Sequence, residues 1–136
     1  MTQRERPLSP FMHYRWQYTN TLSILNRLTG LFMVLGLPLL VYWLAAAATS
    51  PESYEAALGF LNAPVIKLLL FFWLLSFYYH LFSGIRHLCW DMGWGFEKSV
   101  AQKTGWLVFV SAIVLTVLTW MCMSLHIYVN ANGGLV

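Results

Sequence analysis

The sequence predicts an all-α membrane protein with three transmembrane helices, its N-terminus cytoplasmic and its C-terminus periplasmic. Composition is the first reason: 136 residues that are 59% hydrophobic and 10% charged carry more apolar surface than one small water-soluble core can hide. The second is charge-free length. Residues 28–51, 68–85 and 104–136 contain no Asp, Glu, Lys or Arg, and about 20 apolar residues rising ~1.5 Å each cross a bilayer as a helix. The third is the placement of basic residues. Arg4, Arg6, Arg15 and Arg27 lie ahead of the first run, and Arg86, Lys98 and Lys103 lie between the second and third. The first loop holds Glu52 and Glu55 with only Lys67, and nothing after Lys103 is charged. The positive-inside rule then puts the N-terminus and second loop in the cytoplasm. The net charge of +3 follows from that orientation, and no segment resembles a nucleic-acid module.

Residues 1–20 form a polar arm kept extended by Pro7 and Pro10. Helix I follows over 21–48, with Pro38 inside it as a kink, because neighbours in a membrane can re-satisfy the carbonyls it frees. The run Leu31–Leu44 with Ala45–Ala48 imitates a signal peptide, but the long arm before it and Arg27 at its edge argue against cleavage. Ser50 followed by Pro51 and Glu52 predicts a capped interfacial helix over 51–61. Helix II runs 64–91, Gly93 and Gly95 break the chain, and helix III runs 102–129 before a frayed end at Asn130–Gly134. These elements make a single domain, 1–136, without internal repeats. Cys89 and Cys122 form no CxxC or CxxCH pattern, so neither a disulfide framework nor covalent haem attachment is expected.

A histidine inside an apolar span is costly unless it faces protein, water or a metal, which makes His80 the leading site candidate. Ser76, His80, Ser83 with Gly84, and His87 share one helical face. Gly84 removes a side chain one turn from His80, which suits either a flat ligand or a close helix crossing. Ser23, Arg27 and Gly30 form a second stripe on helix I near the same membrane level. His80 and His87 share a face and cannot grip one iron from opposite sides. His126 lies deep toward the other end of helix III, and His13 lies in the arm. If His80 binds haem iron in a six-coordinate site, the opposite ligand comes from another polypeptide.

Three motifs resemble one family. They are Arg6-Pro7-Leu8-Ser9-Pro10 in the arm, Ser23-Ile24-Leu25-Asn26-Arg27-Leu28-Thr29-Gly30 on helix I, and His80-x-x-x-Gly84-Ile85-Arg86-His87-x-x-x-Asp91-x-Gly93 on helix II. With the three-span layout they resemble the cytochrome b556 subunits of succinate dehydrogenase, the large membrane anchor of respiratory complex II. The resemblance implies haem b with His80 as the axial ligand from this chain, a second small anchor subunit supplying the other, and a ubiquinone site in which Ser23 and Arg27 take part. The family usually has histidine where this chain has Asn26, a residue associated with a haem propionate. Pairing with that propionate is expected to fall to Asn26, Arg27, His87 or the partner. His87 and Asp91, one turn apart, are candidates for a proton relay. The resemblance further implies an iron-sulfur subunit, a flavoprotein subunit and a bacterial cytoplasmic membrane. The chain has no nucleotide fingerprint or cysteine cluster of its own.

Other readings of the same residues stay open. Arg27 and Arg86 can snorkel to headgroups, Ser23 can bond back to its own helix, and His87 with Asp91 can be a solvated helix-end pair. The tryptophans Trp43, Trp90, Trp94, Trp106 and Trp120 are expected as interface anchors or lipid-facing packing. Among whole-protein alternatives, a related fumarate reductase would keep the haem, whereas a small transporter subunit would lack it.

Overall fold

The computed structural model describes residues 18–131 and 133; the arm, including its Arg6–Pro10 motif and His13, lies outside them. Four helices follow one another: α1 (Tyr18–Thr49), α2 (Pro51–Leu61), α3 (Pro64–Asp91) and α4 (Lys98–Ala131). There is no strand among the described residues. Three of the helices, α1, α3 and α4, are long and apolar enough to cross a membrane.

Local chemistry explains where these helices start and stop. Ser50 is extended (φ −163°, ψ 160°) and its hydroxyl accepts the Ser53 N–H at 3.2 Å, with Pro51 at the first helical position of α2. The exit from α3 needs a left-handed residue: Gly93 has φ +85°, its N–H donates to Trp90 O, and Trp94 N–H donates to Cys89 O. That pair of bonds is a Schellman cap, which satisfies carbonyls that the helix end would leave bare. Helix α1 begins before the expected residue 21 and α4 before the expected 102. Both extensions are polar turns held by neighbours: Tyr18 stacks on Trp106 at 5.9 Å, and Ala101 near the start of α4 is buried.

Helix α3 lies between α1 and α4 and packs along both, while α1 and α4 touch more sparingly. The α4 side of the contact is a stripe of mostly small residues at helical spacing: Ala101, Gly105, Val108, Ala112 and Thr116, all buried. Such residues let helix axes approach when lipid is as apolar as the side chains. Tyr79, Val108 and Ala112 form the centre, flanked by Leu25, Leu75, Tyr78 and Phe82. Side-chain bonds near this centre tie α3 to both neighbours: Tyr78 Oη pairs with Thr119 Oγ1 of α4 at 2.8 Å, and Tyr79 O–H donates to Leu22 O of α1 at 3.2 Å.

The α1–α3 contact has its own closest point. Trp73 lies against Gly36 and donates Nε1–H to Met33 O at 3.1 Å. Pro38 sits within the following turn of α1, and the helix continues through it. Most large apolar side chains of the three spans, such as Leu31, Leu35, Val65, Leu107 and Leu118, point outward.

Candidate functional site

Two glycine contacts fix the register of the antiparallel α1–α3 pair: Gly30 faces His80 and Gly36 faces Trp73. Ser23 and Arg27 therefore lie about 10 Å and about 4.5 Å from Gly30 along α1, at ~1.5 Å per residue, on the side of His87 and Arg86. That end of the bundle, where α1 begins, α3 ends and α4 begins, is its basic end.

His80 is half-buried. Its Nδ1 lies 3.1 Å from the backbone carbonyl of Asn26, across the helix pair. A carbonyl only accepts, so Nδ1 carries the proton in this bond and the neutral ring keeps its lone pair on Nε2. That is the tautomer able to ligate a metal through Nε2, with the other nitrogen held by an acceptor, as ligating histidines ordinarily are. The ring also needs room at α1. A methyl on Gly30 would stand 3.0 Å from His80 Cε1 and 3.4 Å from Nδ1, so only glycine leaves the seat uncrowded. Gly84, one turn further along α3, has no atom of the described residues beyond its own helix backbone within 4 Å of an added Cβ. Neither α1 nor α4 crosses α3 closely at that point.

The α1 stripe presents polar groups beside this ring. Asn26 Oδ1 is buried and has no partner among the described residues. Ser23 is half-buried and, unlike Thr29, Thr49, Thr104 and Thr116, does not bond back to its helix. Arg27 is exposed, with no ion pair or hydrogen bond among the described residues.

His87 is exposed at the basic end. Its Nδ1 is 2.7 Å from Ser83 O, one turn back on its own helix, and its ring meets Trp90 edge-on at 5.2 Å. Asp91 is also exposed, and no hydrogen bond or ion pair joins it to His87 among the described residues. The sequence places the two one turn apart; the structure does not link them directly.

Arg86 behaves differently from the snorkelling reading. It is 8% exposed, donates Nη2–H to Ala101 O at 2.8 Å and Nε–H to Thr104 Oγ1 at 3.2 Å, and lies over the Trp90 ring at 4.0 Å. It therefore clamps the end of α3 to the first turns of α4 rather than reaching for headgroups. Trp90 in turn donates to Gly95 O at 3.2 Å and stacks on Phe96, which makes it part of the turn as well as an interface residue. The one sequence signal for this role was the Arg86–Trp90 spacing of one helical turn.

Among the described residues His126 bonds only to the nearby Asn130 amide, at 3.1 Å, near the far end of α4. The contacts Arg86–Thr104 and Phe71–Trp120 put Ser111 about level with His80, so His126 lies about 22 Å further along the axis. Among the described residues no three His, Cys, Asp or Glu side chains gather as a metal site. A metal at His80 would thus take its remaining ligands from outside the described residues. Among the described residues, an anchored imidazole with Nε2 free, an unpaired guanidinium and open space at Gly84 fit an anionic cofactor, and the Asn26 amide can serve it only through its NH2, since its buried Oδ1 accepts.

A cavity of about 330 Å³ lies at other depths, lined by Phe32, Gly36, Trp43, Leu61, Leu70 and Trp73. It includes none of the sequence-predicted site residues. His80 is not among the residues that line it.

Comparison with known proteins gives a consistent answer. Residues 2–119 match the family described as succinate dehydrogenase/fumarate reductase transmembrane subunit. The chain is 40% identical over 118 residues to the succinate dehydrogenase cytochrome b556 subunit of Rickettsia felis, covering 86% of this chain and 92% of that one. The Rickettsia prowazekii subunit of the same name is 39% identical over 118 residues with the same coverage. That of Paracoccus denitrificans is 36% identical over 115 residues, covering 84% of this chain and 88% of the relative.

Proposed function

Since the chain belongs to the succinate dehydrogenase/fumarate reductase transmembrane subunit family, we propose that it anchors a succinate:ubiquinone oxidoreductase, shares haem b with a second small anchor subunit, and forms part of the ubiquinone-reduction site. Three apolar spans and relatives from Rickettsia and Paracoccus make it a multi-pass protein of a bacterial cytoplasmic membrane. In this reading the basic end faces the cytoplasm, where a flavoprotein and an iron-sulfur protein dock, and no nucleic acid is involved. Succinate is oxidised on those partners.

The observation that carries the proposal is the pairing of two features at neighbouring depths. His80 is held with Nε2 free, and the unpaired polar groups of Ser23, Asn26 and Arg27 lie at or to the basic side of it. Haem b would be held by His80 through Nε2, with Asn26, Arg27 and His87 available toward its propionates. When bound, it would supply a one-electron redox centre. Asn26 can donate a hydrogen bond to a propionate but contributes no charge, so Arg27 is the cation at that position.

Quinone reduction builds negative charge on a carbonyl oxygen and consumes two electrons and two protons. The Arg27 guanidinium stabilises that charge where it develops, and the Ser23 hydroxyl orients the second contact. His87 and Asp91, both exposed at this end, supply protons through water rather than through a direct bond between them.

The test is succinate-driven ubiquinone reduction by the purified complex carrying Arg27→Leu or Ser23→Ala, with assembly checked by subunit content. Arg27→Leu is expected to lower turnover by 10- to 100-fold or more, about 1.5–3 kcal/mol for a lost charge-assisted hydrogen bond. Unchanged turnover and quinone affinity in both variants would reject the quinone site. Assaying fumarate reduction in the same preparation separates the fumarate-reductase alternative by direction.

A further inference from the structure

We infer that Gly30 and the Asn26 carbonyl together are the positioning device for His80, and that the residue at position 30 sets the electronic character of the haem ligand. The inference rests on the haem reading above. His80 Nδ1 sits 3.1 Å from Asn26 O on the neighbouring helix, and the ring edge lies where a side chain at position 30 would begin, 3.0 Å from Cε1. The two facts are one piece of geometry. An imidazole on α3 reaches a backbone carbonyl of α1 only if the residue one turn along α1 has no side chain to hold the ring off. The Thr29 hydroxyl, 3.0 Å from the same Asn26 oxygen, flanks the seat on the α1 side.

The consequence is chemical as well as steric. A hydrogen bond from Nδ1–H to a carbonyl makes the opposite nitrogen a stronger donor and fixes the rotation of the ring. A stronger donor favours the more highly charged ferric state and so lowers the reduction potential. Position 30 therefore acts on the haem through His80 without touching it, and Gly30 is a positioning residue.

The experiment measures haem content, midpoint potential and the low-spin electron paramagnetic resonance signal of the oxidised complex, for wild type, Gly30→Ala and Gly36→Ala. Gly36→Ala is the matched structural control, because it disturbs the same helix pair at Trp73, away from His80. Gly30→Ala is expected to retain haem, raise the potential and shift the low-field resonance. Gly36→Ala is expected to leave both readings at their wild-type positions. Wild-type readings in Gly30→Ala, or equal shifts in the two variants, would overturn the inference. Pulsed resonance on the wild-type complex with His80 as the isotope-labelled ligand tests it without any variant: a hydrogen-bonded proton on the remote nitrogen of His80 is expected, and its absence there overturns the inference even if Gly30→Ala fails to assemble. A wild-type complex without haem would instead sink the functional reading itself.

Discussion

Substituting Gly36 by alanine tests whether the α1–α3 register is as close as the structure has it. The added methyl would fall inside the Trp73 indole, against Nε1, Cδ1 and Cε2. Moving the indole away strains the interface by about 1–3 kcal/mol and sacrifices its bond to Met33 O, worth about 0.5–1.5 kcal/mol. Against this, alanine gains about 1 kcal/mol over glycine within a helix. The net expectation is a loss of about 2 kcal/mol, the overpacking and hydrogen-bond losses outweighing propensity. The assay is thermal or SDS-induced unfolding of the detergent-purified complex, with Gly59→Ala as reference, since an added Cβ there meets none of the described residues within 4 Å. A double-mutant cycle gives the cause. In a Trp73→Leu background the same Gly36→Ala change should become neutral or favourable, a coupling of about 2 kcal/mol. Equal stability of wild type and Gly36→Ala, or the same loss with and without Trp73, would refute the packing argument.

Other expectations follow from the same structure. Arg86→Met removes two donors and leaves the Ala101 carbonyl without its side-chain partner; unfolding of the complex should register a loss of about 2–4 kcal/mol, with Arg86→Lys recovering only part. Gly93→Ala forces a side chain into φ +85° at the α3 cap, so stability should fall by about 1–2 kcal/mol, while turnover per assembled complex stays near wild type. Arg27→Lys, keeping the charge but losing the planar fork, should reduce ubiquinone about twofold to tenfold more slowly than wild type, which steady-state turnover with varied quinone checks.

Much of the fold was legible because membrane spans are written in long, one-dimensional patterns. Charge-free runs located all three spans, and the Ser50-Pro51-Glu52 start located α2. Boundaries failed where charge stood in for structure: α4 starts at Lys98 because the buried Arg86–Ala101 contact holds the polar first turns in the bundle, and no charge-free run reaches there. Arg86 looked like a snorkelling cation for the same reason. His80 stood out because an imidazole in an apolar run is expensive, but its partner did not. That partner is a backbone carbonyl, which every residue has, and choosing Asn26 requires the α1–α3 register. The register is set by Gly30 and Gly36 against His80 and Trp73, a pairing of two distant segments that no local spacing encodes.

The account turns on His80 offering Nε2 to a haem iron, and the reduced-minus-oxidised absorption spectrum of the purified complex tests that most directly. Wild type is predicted to show b-type bands that are lost or altered in His80→Ala in an otherwise assembled complex. A colourless wild type, or identical bands in both, would contradict it.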